Sequence, residues 1–169
     1  KMTHWSGIGH KFGLTKPKAA MEFSVEGQTS GRLNRDGIQI HTPEEFAGMR
    51  ASGQLAAQIL DMIADHVVPG VTTEKLDTLC HDFMVANNAV PATLGYKGYP
   101  KSSCISINHV VCHGIPSDKI LKDGDVLNID VTCILDGWYG DTSRMYVAGS
   151  PSRKAERLID VTHDALMIG

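Results

Sequence analysis

Apolar positions recur at helical spacing from Phe46 through Met49, Gly53, Ala56, Leu60, Ile63 and Val67, and Val68-Pro69-Gly70 stops the run. The start is marked by Thr42-Pro43-Glu44-Glu45, with threonine as N-cap, proline as the first helical residue and Glu45 closing a capping box. The acidic first turn also opposes the positive end of the helix dipole. A second helix is predicted after Thr72 or Thr73, with Leu76, Leu79, Cys80, Phe83 and Met84 on one face and an end near Asn87-Asn88. Both read as helices that pack into a core rather than as binding surfaces.

The period changes after Pro91. Gly95, Gly98 and Pro100 punctuate a loop that carries Tyr96 and Tyr99, and residues 103–107 and 110–113 then predict two strands about a turn at Asn108-His109. A second turn, Lys122-Asp123-Gly124-Asp125, leads into the run Val126, Leu127, Ile129, Val131, Cys133, Ile134 and Leu135. A nearly continuous run of that kind is expected of a strand covered on both faces. Ser150 or Ser152 caps a final helix with Ala155, Leu158, Ile159, Thr162, Ala165 and Leu166 at packing positions, and no stop signal precedes Gly169, so the sequence reads as ending in mid-structure.

The first 41 residues lack any such period. Lys1, Lys11, Lys16 and Lys18 come with no acid before Glu22, among glycines, serines and threonines, so residues 1–41 are expected to form a mobile extension and 42–169 the ordered unit. Overall the chain is 42% hydrophobic and 21% charged, the balance of a soluble globular domain with one core. A net charge of -3 gives no ground for nucleic-acid binding, and no apolar stretch is long enough to span a bilayer. Cysteines 80, 104, 112 and 133 form no Cys-x-x-Cys pair, which points to reduced thiols in a cytoplasmic protein rather than to a zinc site.

The chemistry concentrates in the last hairpin. With Asp136-Gly137 as a two-residue turn, Leu135 faces Trp138, Thr132 faces Asp141 and Asp130 faces Ser143. Asp130 and Asp141 then share a face as diagonal neighbours, about 7–8 Å apart at the backbone. Converging carboxylates repel unless a cation lies between them, and an aspartate within an apolar strand needs a cation or several donors. A divalent ion, or a pair, is the simplest partner. His113, a lone histidine beside a glycine, reads by itself as structural.

Three segments together carry a resemblance. Gly98 to Pro116, GYPKSSCISINHVVCHGIP, and Leu121 to Gly149, LKDGDVLNIDVTCILDGWYGDTSRMYVAG, closely resemble the type 1 methionine aminopeptidases of bacterial or organellar kind, and TPEEFAGMRASGQLAAQILDMI resembles their first helix. The resemblance implies an α+β pita-bread fold of two similar halves, of which this chain supplies the first: two helices, antiparallel hairpins and one further helix. It implies that Asp130 holds one metal ion and Asp141 bridges two, the ions being cobalt, manganese, iron(II) or zinc. It places His113 beside the substrate as the catalytic histidine, Tyr96, Tyr99 and Cys104 around the methionine side chain, and Asn108 and Val110 near a monovalent cation. The implied activity is removal of the initiator methionine from nascent peptides, with the ribosome as a further partner. The family's remaining ligands, one histidine and two glutamates, come from its second half, so the site is expected to be incomplete in this chain and the chain inactive alone. A non-catalytic binding module and a proline-specific aminopeptidase of the same fold are the alternatives. Retention of Asp130, Asp141 and His113 argues against the first, and the GYPKSSCISIN segment against the second.

Overall fold

The structure is a computed structural model and describes residues 32–169. The expectation for residues 1–31 lies outside the described residues. Within the remainder of that segment, β1 (Arg32–Leu33) and β2 (Gln39–Ile40) form a small antiparallel hairpin, closed by the Asn34 side chain accepting from the backbone N–H groups of Asp36 and Ile38.

Helix α1 (Pro43–Ala64) begins as its capping signals dictate: Thr42 Oγ1 accepts from the Glu45 N–H and Glu45 Oε2 accepts from the Thr42 N–H at 2.8 Å. Its buried face is Ser52, Leu55, Ala56, Ile59, Leu60 and Ile63. Phe46 and Met49, expected on that face, are 48% and 45% exposed. The later turns are the ones that carry side chains into the sheet; nearer the start, the contact is made by Gly48, against which the Trp138 indole lies. Helix α2 (Thr73–Ala86), capped by Thr72, buries Leu76, Cys80 and Met84 in the same core.

A four-stranded antiparallel sheet completes the layer, with β5 (Asp125–Leu135) at its centre. Strand β6 (Trp138–Ala148) pairs with β5 along its whole length. The other side of β5 is shared by β4 (Ser103–Ile107), opposite residues 127–131, and β3 (Val90–Pro91), opposite Cys133 and Ile134. Burial along β5 alternates: Leu127, Ile129, Val131 and Cys133 are fully buried with the helices, whereas Asn128, Asp130, Thr132 and Ile134 are half-buried on the opposite face. The apolar run is therefore covered on one face, not two, because both helices lie on the same side of the sheet.

Two further expectations fail. Residues 110–113 are not a strand. Asn108 turns the chain at φ 53°, Val110 N–H donates to Ile107 O, and the chain rejoins β4 only where Ile105 N–H donates to Gly114 O at 2.8 Å. Two residues of β4 are thus matched by four on the return, and Val111, Cys112 and His113 loop outward. Helix α3 (Arg153–Ile168) forms, capped by Ser152, but none of its residues is buried, and Leu158 and Leu166 are exposed. All four cysteines are free, with Cys112 alone exposed. Among the described residues no helix is long and apolar enough to cross a membrane.

Close approach of α1 to β6 is possible because residue 140 has no side chain. A Cβ at Gly140 would lie 2.2 Å from Ser52 O and 2.8 Å from Ser52 Oγ, the hydroxyl that donates to Trp138 O. Gly140→Ala is expected to lower unfolding free energy by about 1–3 kcal/mol through overpacking against backbone. Gly53→Ala, within α1 where nothing lies within 4 Å, is expected to raise it by about 0.5–1 kcal/mol. Urea denaturation of the two variants beside the parent chain checks both signs.

Candidate metal centre

The hairpin turn has the geometry that its residues specify. Asp136 and Gly137 take φ 50° and 83°, and Leu135↔Trp138, Thr132↔Asp141 and Asp130↔Ser143 are paired. Asp130, Thr132 and Asp141 accordingly stand on the sheet face away from the helices. That face floors a groove of about 760 Å³. Tyr96, Tyr99, Cys104, His113, Asp130 and Asp141 all line it, with Thr132 opposite Asp141 and with Lys97 and Tyr139 also in the lining.

Asp130 is the strained member of the pair. Burial raises its carboxyl above the ordinary value, the Asp141 charge raises it further, and only His113 opposes them. Among the described residues no donor hydrogen-bonds to its side chain. Asp141, directly across the ladder from Thr132, accepts from Thr132 Oγ1 at 3.0 Å.

The walls are fixed by hydrogen bonds to backbone. Asp77, buried on α2, accepts from the N–H groups of Ser102 and Ser103 and from Ser103 Oγ at 2.7 Å, which pins the start of β4. The Tyr99 hydroxyl donates to Ser103 O at 2.9 Å and lies 3.2 Å from Gly114 O, so it ties the tyrosine loop to the segment after His113. Burial, with the Cys104 contact adding to it, pushes the Tyr99 phenol up, so it stays a donor. Cys104 faces Asp130 across the β4–β5 ladder, and burial raises its thiol. His113 is exposed and holds φ 56°, a left-handed conformation that few non-glycine residues adopt.

The structure thus brings six of the eight singled-out residues to one groove and leaves two elsewhere. Asn108 donates through Nδ2 to Asp125 Oδ1 and accepts from Val126 N–H, and Val110 borders a separate, small cleft. Thr132, which the sequence does not single out, also lines the groove, and its position opposite Asp141 is readable from the turn. The role of Asp77 had no sequence signal, because its partners lie 25 and 26 residues away.

The donor set suits a hard divalent cation: two carboxylates on one face, one of them half-buried and without a donor. It is also short. No group of three or more His, Cys, Asp or Glu side chains able to hold a metal occurs among the described residues.

The sequence pattern of metallopeptidase family M24 matches residues 47–169. The chain belongs to that family. It is 64% identical over 132 residues to the methionine aminopeptidase of Rickettsia prowazekii, covering 78% of this chain and 51% of that protein, and 56% identical over 133 residues to the methionine aminopeptidase of Escherichia coli strain K12, covering 78% and 50%. The crystal structure of the Rickettsia enzyme superposes with a TM-score of 0.76 at 65% identity, covering 77% of this chain and 52% of that one. The methionine aminopeptidase of Thermotoga maritima superposes with 0.74 at 34% identity, covering 77% and 53%. The chain spans about half the length of these relatives, and the three α-helices and antiparallel sheets of its described residues form part of a pita-bread fold. Dependence on divalent metal goes with the metallopeptidase family.

Because the folded state binds the Asp130 proton more tightly than the unfolded chain does, stability falls as pH rises from the ordinary carboxyl value of 3.8 through the raised folded value, and the full penalty stands at neutral pH. Asp130→Asn removes that charge. With metal chelated, its thermal midpoint is expected to exceed the parent's at pH 7, the gain shrinking as pH falls through the raised folded value and vanishing below 3.8. Calorimetric scans of both chains across that range check it.

Proposed function

We propose that the protein carrying this chain removes N-terminal methionine from nascent polypeptides by divalent-metal-dependent hydrolysis. The observation that carries this reading is the convergence of Asp130 and Asp141 on one groove with His113, Tyr96, Tyr99 and Cys104, in a chain 64% identical to a methionine aminopeptidase. Asp130 and Asp141 are the side chains that would hold the metal. When bound, such ions supply Lewis-acid polarisation of a carbonyl and lower the pKa of water.

The chain's own residues do the rest. Tyr96, Tyr99 and Cys104 offer rings and a soft, raised-pKa thiol to a flexible thioether side chain. The neutral Tyr99 hydroxyl, committed to backbone carbonyls, holds that wall in place and keeps the His113 segment against β4. His113, at the groove wall, donates an imidazole N–H to the scissile carbonyl oxygen as charge develops there. Its exposed, outward-looped position gives it access to a peptide entering the groove. The monovalent-cation role of Asn108 and Val110 belongs to this proposal only as a structural site beside the sheet, as does association with the ribosome, which would present newly made chains.

Two carboxylates make a loose, water-rich site, so the described residues provide part of a ligand set. The purified 169-residue chain is expected to release no methionine from a Met-Ala-Ser peptide in the presence of Mn²⁺ or Co²⁺; measurable metal-dependent release by the chain alone would refute this. In the whole protein, His113→Ala is expected to lower kcat by about 10²–10⁴-fold with KM nearly unchanged. Steady-state kinetics of methionine release read both constants. A His113→Ala enzyme that changes KM alone would remove His113 from the chemistry.

A further inference from the structure

Polar side chains on the open face of the β5–β6 hairpin run in two pairs. Asn128 Nδ2 donates to Ser143 Oγ at 3.3 Å, and Thr132 Oγ1 donates to Asp141 Oδ1 at 3.0 Å. Asp130 lies between Asn128 and Thr132 on its strand, paired in register with Ser143, and is left without a donor among the described residues. The two carboxylates are therefore held differently, one oriented and one free.

We propose that Thr132 is a positioning residue for the metal centre, its hydroxyl fixing the Asp141 carboxylate so that the remaining oxygen lone pairs face the groove. The inference rests on the reading that Asp130 and Asp141 hold divalent cations. Three features support it. Thr132 and Asp141 are directly opposite in the ladder, where side-chain roots come closest. Threonine is branched at Cβ and stiff at χ1, so its hydroxyl is a fixed donor rather than a swinging one. And a hydroxyl carries no charge: it orients the carboxylate while leaving the negative charge uncompensated. A lysine in the same place would neutralise Asp141 and compete with a cation. Partners that orient metal ligands typically change affinity by about 10–100-fold when removed.

The test uses the full 169-residue chain and two readouts. Mn²⁺ binding is followed by the electron paramagnetic resonance signal of the free ion, and the Asp141 rotamer is read from Hα–Hβ coupling constants in the metal-free protein. Thr132→Val keeps shape and strand propensity but loses the donor; Thr132→Ala, measured alongside, loses it without a replacement methyl and serves if the valine variant does not fold. Thr132→Ser keeps the donor. Expected are Mn²⁺ affinity reduced about 10–100-fold in the valine and alanine variants, near-parent affinity in the serine variant, and Asp141 couplings that pass from a single rotamer to an average wherever the hydroxyl is lost. Parent-like affinity together with a single Asp141 rotamer in Thr132→Val overturns the inference. A parent chain that binds no Mn²⁺, or binding untouched by Asp141→Asn, overturns the metal reading, and this inference with it.

Discussion

Register in the β5–β6 hairpin is the constraint from which the rest follows. Slipping the pairing by one residue would turn every side chain of one strand to the other face, placing Asp141 in the core and opening the shared face. The turn and the core both forbid that. Asp136 and Gly137 fix the loop at two residues, and the alternation of Leu127, Ile129, Val131 and Cys133 fixes which face of β5 meets the helices. Magnitudes decide the balance with the charges opposite. Full burial of such side chains contributes about 1.5–3 kcal/mol each. Two like charges held at the backbone spacing of such neighbours, about 7–8 Å, would repel by about 2 kcal/mol at an effective dielectric of 20. The core prevails, and the hairpin forms with the repulsion still in it. The same alternation that buries Leu127, Ile129, Val131 and Cys133 aims Asp130 and Thr132 at the groove.

The groove needs a second wall, and that wall hangs from α2. Asp77 is a carboxylate in the opposite condition to Asp130: buried, and satisfied by three donors from Ser102 and Ser103. Its position on the helix sets where β4 starts, and Tyr99 then couples that start to Gly114 and the His113 segment. Helix packing, strand placement and the two groove-lining loops are therefore one connected arrangement. A disturbance at Asp77 would reach Cys104 and His113 without touching either.

Features governed by local chemistry were legible in the sequence. The capping box at Thr42, the cap at Thr72, the Asp-Gly turn and the pairing of Thr132 with Asp141 depend on residues within a few positions of one another, and the structure reproduces each. What depended on long-range packing was not. The face of α1 is set by which turns meet the sheet, so Phe46 and Met49 lie outside it. The segment 110–113 has strand-like composition, but the left-handed Asn108 and the rejoining bond from Ile105 to Gly114 leave it too long for the strand it returns along. Among the described residues, the helices that pack on the sheet lie on one side of it, a matter of topology that no apolar run in β5 could reveal. At the site, the carboxylates came from turn geometry, whereas His113, Tyr96, Tyr99 and Cys104 came from resemblance and only then met the carboxylates in one groove.

Departures from local rules mark the groove independently of any relative. Five non-glycine residues hold positive φ among the described residues: Asn88, Lys97, Asn108, His113 and Asp136. Three are Asn or Asp, whose short polar side chains suit that conformation. The other two, Lys97 and His113, both line the groove. Left-handed geometry costs such residues about 1–2 kcal/mol, and Asp130 adds a half-buried charge without a donor. Elsewhere capping, turn chemistry and core packing agree with one another, and among the described residues no buried side-chain polar atom lacks a partner. Strain confined to one concave surface in an otherwise consistent fold is the pattern of a site held ready for a ligand it does not itself supply. The uncompensated charge of Asp130 is of the kind that a bound cation would relieve.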